Sequence, residues 1–197
     1  MEKIDKRTSS GRWKLFAVLA VCAAPMLLSY LTYYVIKPDG RTNYGTILDP
    51  RLYPLPQLGG TLLGGEAKEL DAYKGKWIML QVDSGSCTQA CEKKMLDMRQ
   101  LRLMQGKEMD RVERVWLIND AQAVDTVLMR TFDGTHMIRV DANALKKWLP
   151  SEDNTQVNEH IFMIDPLGNL MLRFPKDADP QKMKKDISKL LKASAIG

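Results

Sequence analysis

Apolar and polar positions follow three rhythms along this chain, and each predicts a different kind of element. From Leu15 to Ile36 no charged residue occurs. As a helix rising about 1.5 Å per residue, such a run spans the ~30 Å hydrocarbon core of a bilayer. Farther on come short apolar runs of strand length: Trp77–Val82, Val112–Ile118, Met137–Val140, Ile161–Ile164 and Leu170–Phe174. Segments with helical periodicity lie between and after them: Cys91 to about Met104, Ala121–Phe132, Ala142–Leu149 closed by Pro150, and Asp179–Ala193. The last carries Met183, Ile187, Leu190 and Leu191 on one side.

Asp165-Pro166-Leu167-Gly168-Asn169 has turn chemistry and makes a hairpin of the last two strands. The order strand, helix, strand, helix, short strand, helix, hairpin, helix predicts an α/β sandwich whose central sheet is mixed, parallel in one part and antiparallel at one edge. A thioredoxin-like fold fits that order. Residues 38–65 are rich in Pro and Gly, with Pro50, Pro54, Pro56 and the pairs Gly59-Gly60 and Gly64-Gly65, and read as a tether with an irregular or hairpin lead-in. The expected division is a tail over 1–14, an anchor over 15–36, a tether over 37–65 and the exported thioredoxin-like domain over 66–197.

Charge gives the anchor a direction. Met1–Lys14 holds Lys3, Lys6, Arg7, Arg12 and Lys14 against Glu2 and Asp5, whereas Lys37 and Arg41 follow the apolar run. The positive-inside bias then places the tail in the cytoplasm and the domain outside, as in a single-pass bacterial-type inner membrane protein with a periplasmic domain. A cleaved signal peptide is the rival reading; the long apolar run and the absence of an Ala-x-Ala site after Ile36 favour an anchor. The tail and Lys37 account for most of the formal charge of +5. The basic balance therefore follows from topology, and nucleic acid is not an expected partner.

One cysteine, Cys22, falls in the apolar run, which leaves Cys87 and Cys91 as the pair in the exported domain. They stand where Trp77–Val82 gives way, through Asp83-Ser84-Gly85-Ser86, to the next helix. Unsatisfied N–H groups and the helix dipole favour thiolate there, the form that attacks disulfides and binds soft metals. In an oxidising compartment the pair closes as a disulfide unless a reductant or a metal holds it.

The stretch Gly75-Lys76-Trp77 through Cys87-Thr88-Gln89-Ala90-Cys91, with the later Ile161-Phe162-Met163-Ile164-Asp165-Pro166-Leu167-Gly168 hairpin, resembles the Sco/SenC family. Its members are membrane-anchored, thioredoxin-fold proteins that help deliver copper to cytochrome c oxidase. The resemblance covers about residues 50 to 193. It implies copper as the bound metal, with Cys87 and Cys91 as soft ligands and a distant histidine completing the site. A cytochrome c oxidase subunit or another membrane client is the implied partner.

The chain departs from that pattern in two places. Glu92 stands where a proline usually follows the second cysteine, and the family's histidine spacing falls on Val157. His160, three residues nearer Pro166, is the candidate third ligand. Thiol–disulfide oxidoreductases of the same fold are the competing comparison, with Cys87 and Cys91 as a catalytic redox pair and Cys87 attacking. They generally carry Cys-x-x-Cys and a cis-proline, whose aligned position here is Glu159. A carboxylate there facing the sulfurs would raise their pKa by like-charge repulsion. A non-catalytic assembly protein with a structural Cys87–Cys91 staple is the third reading, so enzymatic activity stays open at this point. Met95, Met98 and Met104 read as core fillers, Trp116 and Trp148 as packing residues, His136 as structural or exposed, and Lys182, Lys184 and Lys185 as a solvated helix face.

Overall fold

In the computed structural model, residues 7–36 and 43–196 are described. Residues 1–6 of the tail and 37–42 of the tether, including Lys37, Pro38 and Arg41, lie outside them. The first helix, α1, runs Arg7–Leu31 and continues as a π-helical turn over Thr32–Ile36. Its span-like stretch is Gly11–Val35, slightly N-terminal of the expected run. Pro25 lies inside it and removes one backbone donor, and the Thr32 hydroxyl donates to the Leu28 carbonyl at 2.7 Å. Trp13 sits near one end and Tyr30, Tyr33 and Tyr34 near the other, all largely exposed, the distribution of aromatics that settle at membrane interfaces.

From Asn43 onward the chain forms a separate compact unit. It contains seven strands: β1 Thr46–Ile47, β2 Thr61–Leu62, β3 Trp77–Asp83, β4 Val112–Ile118, β5 Thr135–Arg139, β6 Ile161–Ile164 and β7 Leu170–Arg173. They make one sheet in the order β1-β7-β6-β3-β4-β5-β2. Pairs β3–β4 and β4–β5 are parallel, and the others are antiparallel. Among the described residues four α-helices complete the unit: α2 Gln89–Leu103, α3 Thr126–Thr131, α4 Ala142–Trp148 and α5 Pro180–Ala193. This is the mixed α/β sandwich expected from the element order.

The Pro/Gly-rich segment contributes both edge strands. Its start is pinned by Asp186 of α5, whose carboxylate accepts from the Tyr44 and Gly45 amides at 2.7 and 2.9 Å. The helix expected over Ala121–Phe132 is shorter. Asp125 accepts from the Val127 amide at 2.7 Å and caps α3, while Arg139 takes the Asp120 and Gln122 carbonyls at 2.7 Å each. The start of this segment is thus held to β5 through the Asp120 and Gln122 carbonyls, and the helix begins only after the Asp125 cap.

The period-2 geometry of β3 sorts its side chains between two cores. Ile78, Leu80 and Val82 join a core with Val115, Leu117, Trp148 and Phe162. Trp77 and Met79 join the core beneath α2 and α5, with Met98, Leu101, Phe174 and Ile187. Gln81 and Asp83 continue that second stripe, so it changes from apolar to polar as it nears the carboxyl end of the strand. Met95 and Met98 are buried as expected, but Met104, past the end of α2, is 37% exposed.

Candidate functional site

The carboxyl ends of the two central parallel strands carry the chemistry-bearing residues, the usual place for a site in an open α/β sheet. After Asp83 the chain turns over Ser84-Gly85-Ser86, with the Cys87 amide bonded to the Ser84 carbonyl at 3.1 Å. Thr88 then caps α2, its hydroxyl accepting from the Cys91 amide at 3.5 Å. Cys87 therefore precedes the cap and Cys91 lies in the first helical turn, with their Cα atoms 5.3 Å apart and their sulfurs joined in a disulfide. Cys87 has a φ of 31°, a left-handed conformation unfavourable for a non-glycine residue. It is 7% exposed against 0% for Cys91; any approach from solvent meets Cys87 first.

Three groups around the bond were not singled out by sequence. Gln81 is fully buried and its amide nitrogen lies 3.7 Å from Cys91 Sγ. Lys94 of α2 donates to Asp83 Oδ2 at 2.9 Å and also to the Asn158 carbonyl. Both charged side chains are nearly buried, at 13% and 10% exposure, so this pair ties α2 to the end of β3 and to the segment before β6. Asp120, just past β4, accepts from Ser84 Oγ, the Gly85 amide and the Gln122 amide at 2.5, 2.9 and 3.1 Å. Burial pushes the Asp120 carboxyl up, but these hydrogen bonds and the Arg139 charge outweigh it and hold the group below its usual range. A Cβ on Gly85 would sit 2.2 Å from the Gln122 carbonyl oxygen, so this close approach requires glycine. The only sequence signals for these groups were a glutamine inside an apolar strand and a glycine between two serines.

His160 is completely buried. Its Nδ1 meets the Phe174 carbonyl at 2.9 Å and its Nε2 the Thr155 hydroxyl at 2.7 Å. A carbonyl only accepts, so Nδ1 carries a proton toward Phe174; the Thr155 hydroxyl that meets Nε2 also donates to the Glu152 carbonyl at 2.8 Å. Burial is the main reason the ring's pKa is lowered. Among the described residues no three His, Cys, Asp or Glu side chains form a metal-binding group. The structure thus brings Cys87 and Cys91 together and does not bring His160 to them; with both ring nitrogens engaged and the sulfurs bonded to each other, these residues do not fit a three-ligand copper site.

Val157, where the family's spacing would put a histidine, packs against the first core. Glu159 bonds Lys176 at 2.5 Å and the Gln156 amide at 2.9 Å. The Lys176 contact, followed by the Gln156 bond, lowers its pKa, so its charge is balanced locally instead of standing unscreened before the sulfurs. Glu92 is exposed. His136 pairs with Glu113 at 3.2 Å and stacks at a tilt on Tyr73. A cleft of about 270 Å³ opens beside the first turn of α2, between Thr88, Ala90, Lys94, Asn158, Glu159 and Lys176.

Residues 77–194 match the family described as transmembrane-like, thioredoxin-like, C-terminal domain, and residues 5–35 match its transmembrane-like, N-terminal domain. No curated protein matches the chain. Among solved structures, copper-bound ScoI of Arabidopsis thaliana is 14% identical with a TM-score of 0.56, covering 73% of this chain and 99% of its own. A thiol:disulfide interchange protein from Bacteroides sp. is 15% identical with a TM-score of 0.51, covering 73% and 91%. The thioredoxin domain of a thiol-disulfide oxidoreductase from Bacteroides vulgatus is 17% identical with a TM-score of 0.51, covering 71% and 96%. At these identities the likeness establishes a thioredoxin-like fold shared by copper-bound and thiol-exchanging proteins.

Proposed function

As the chain belongs to the transmembrane-like, thioredoxin-like family, we propose that it is a membrane-anchored thiol–disulfide exchange protein whose working pair is Cys87 and Cys91. The observation that carries this reading is the asymmetry of the pair: a more exposed Cys87 ahead of the helix and a fully buried Cys91 inside its first turn. Attack and resolution need that division of labour.

In the proposed cycle the reduced pair meets a client disulfide. The Cys87 thiolate attacks one client sulfur; a Cys87–client bond forms, the client S–S bond breaks, and the released client thiolate takes a proton. The Cys91 thiolate then attacks Cys87 Sγ, closing the 87–91 bond and releasing the second client thiolate, which is protonated in turn. Two electrons pass from the pair to the client, and an external dithiol of the exported compartment restores the pair by the reverse exchange. The α2 amides and dipole favour the thiolates, and the cleft beside Thr88 and Ala90 offers room for the client segment.

Basic residues ahead of the apolar run that begins at Leu15 support a cytoplasmic tail and an exported domain, with α1 acting as an anchor that raises the local concentration of a membrane client. Resemblance to the Sco/SenC family makes a cytochrome c oxidase subunit the candidate client. Copper carriage stands second: the reduced pair is a soft donor set, but the engagement of His160 by Thr155 and Phe174 does not favour a third ligand.

The test is equilibration of the full chain in detergent micelles against glutathione buffers. An exchanging pair opens at potentials above about −300 mV, whereas a bond that stays closed below that value is a structural staple.

A further inference from the structure

We propose that Gln81 is a positioning residue that holds Cys91 in the reduced state and so makes the Cys87–Cys91 bond easier to open; this rests on the exchange reading above. Gln81 is fully buried in the α2-facing stripe of β3. Its Nε2 faces Cys91 Sγ at 3.7 Å, while its Oε1 is buried with no hydrogen-bond partner. A primary amide needs both donors and acceptors. A disulfide sulfur has no proton to give, so rotating the amide cannot satisfy Oε1 while the bond is closed, and a buried carbonyl without a donor is destabilising.

Reduction supplies the missing group. Two electrons and two protons convert the S–S bond into two S–H groups, one of them on Cys91 beside the amide. A small turn of the amide about its terminal torsion, which is soft, lets the Cys91 thiol bridge it: Sγ still accepts from Nε2 while its S–H donates to Oε1. Gln81 thus leaves the oxidised state with an unsatisfied oxygen and the reduced state with a satisfied one, which shifts the equilibrium toward the dithiol. An apolar side chain of similar length removes this bias because it relieves the oxidised state and gives nothing to the reduced one.

The experiment compares the full-length wild type with Gln81→Met and Gln81→Leu in detergent micelles across glutathione buffers. Alkylation and peptide mass spectrometry read Cys87 and Cys91 separately from Cys22. The expected result is about a tenfold shift of both variants toward the disulfide, or a potential about 30 mV more negative. In thermal melts the oxidised variants should be at least as stable as the oxidised wild type and the reduced variants less stable than the reduced wild type. An unchanged thiol–disulfide ratio, or the same change in melting temperature in both redox states, overturns the role of Gln81. If the wild-type pair does not equilibrate with glutathione, the exchange reading fails by itself; the melts, with the reduced samples prepared in strong phosphine reductant, still decide the role of Gln81.

Discussion

Ser84 Oγ donates to Asp120 Oδ2 at 2.5 Å, joining the turn that carries the cysteines to the turn that ends β4. Through Asp120 the cysteine turn is also linked to β5, because Arg139 holds the Asp120 and Gln122 carbonyls at 2.7 Å each. The pair therefore sits on a turn braced from the neighbouring strands, as a site that must present one sulfur in a fixed direction requires.

Asp120→Ala removes the acceptor shared by Ser84, Gly85 and Gln122. Hydrogen bonds to a charged acceptor contribute roughly 1.5–3 kcal/mol, so urea unfolding should show a loss of about 2 kcal/mol. The Asp120 carboxyl is held below its usual 3.8 when folded. Its contribution is therefore present above that pH and disappears as pH falls through the lower folded value. Wild type and variant should converge in stability at acid pH.

Gly85→Ala places a methyl against the Gln122 carbonyl oxygen, where the ideal distance is 2.2 Å. The turn or the 121–125 segment must move, at a cost of about 1–3 kcal/mol. Slower thiol exchange should accompany the lost stability, measured as the rate of reaction of the reduced pair with oxidised glutathione. Unchanged stability would mean that the two turns are not held together.

Lys94→Met leaves Asp83 nearly buried without its cation. Breaking such a pair by removing one partner costs about 3 kcal/mol. The double variant Lys94→Met/Asp83→Leu should recover much of that loss, and a double-mutant cycle in urea measures the coupling.

His160 has a folded pKa below its usual 6.5, mainly through burial. Under these conditions the unfolded chain binds more protons between the folded value and 6.5. Stability is complete above pH 6.5, falls as pH drops below it, and levels off once the folded ring also protonates. His160→Gln should abolish this slope while leaving the glutathione equilibrium of Cys87 and Cys91 unchanged. A changed equilibrium would make His160 part of the cysteine site.

Much of this architecture is legible in the sequence where burial imposes a simple pattern. β3 is buried at every position and reads as an apolar run interrupted by Gln81 and closed by Asp83; α5 announces itself through Asp179 as cap, Pro180 in its first turn and an apolar side. The two-residue strands β1 and β2 are too short to leave a period, and their pairing with β7 and β5 is a long-range contact. Helix α3 begins only after the Asp125 cap, and Arg139 holds carbonyls ahead of it in a contact that local propensity cannot foresee. Cys87 and Cys91 are legible as a pair because they are four residues apart across one turn-to-helix junction. The places of Gln81, Asp120 and His160 depend on how distant strands and loops pack, and spacing along the chain does not encode that.

The most direct test of the exchange account is the rate at which oxidised glutathione forms a stable adduct with the reduced full-length chain in two single variants. Cys91→Ala, which keeps the less buried cysteine, should accumulate a glutathione adduct on Cys87. Cys87→Ala, which keeps only the buried sulfur, should react at least tenfold more slowly. Equal rates in the two variants, or no adduct in either, would contradict an exchange protein with Cys87 as its attacking cysteine.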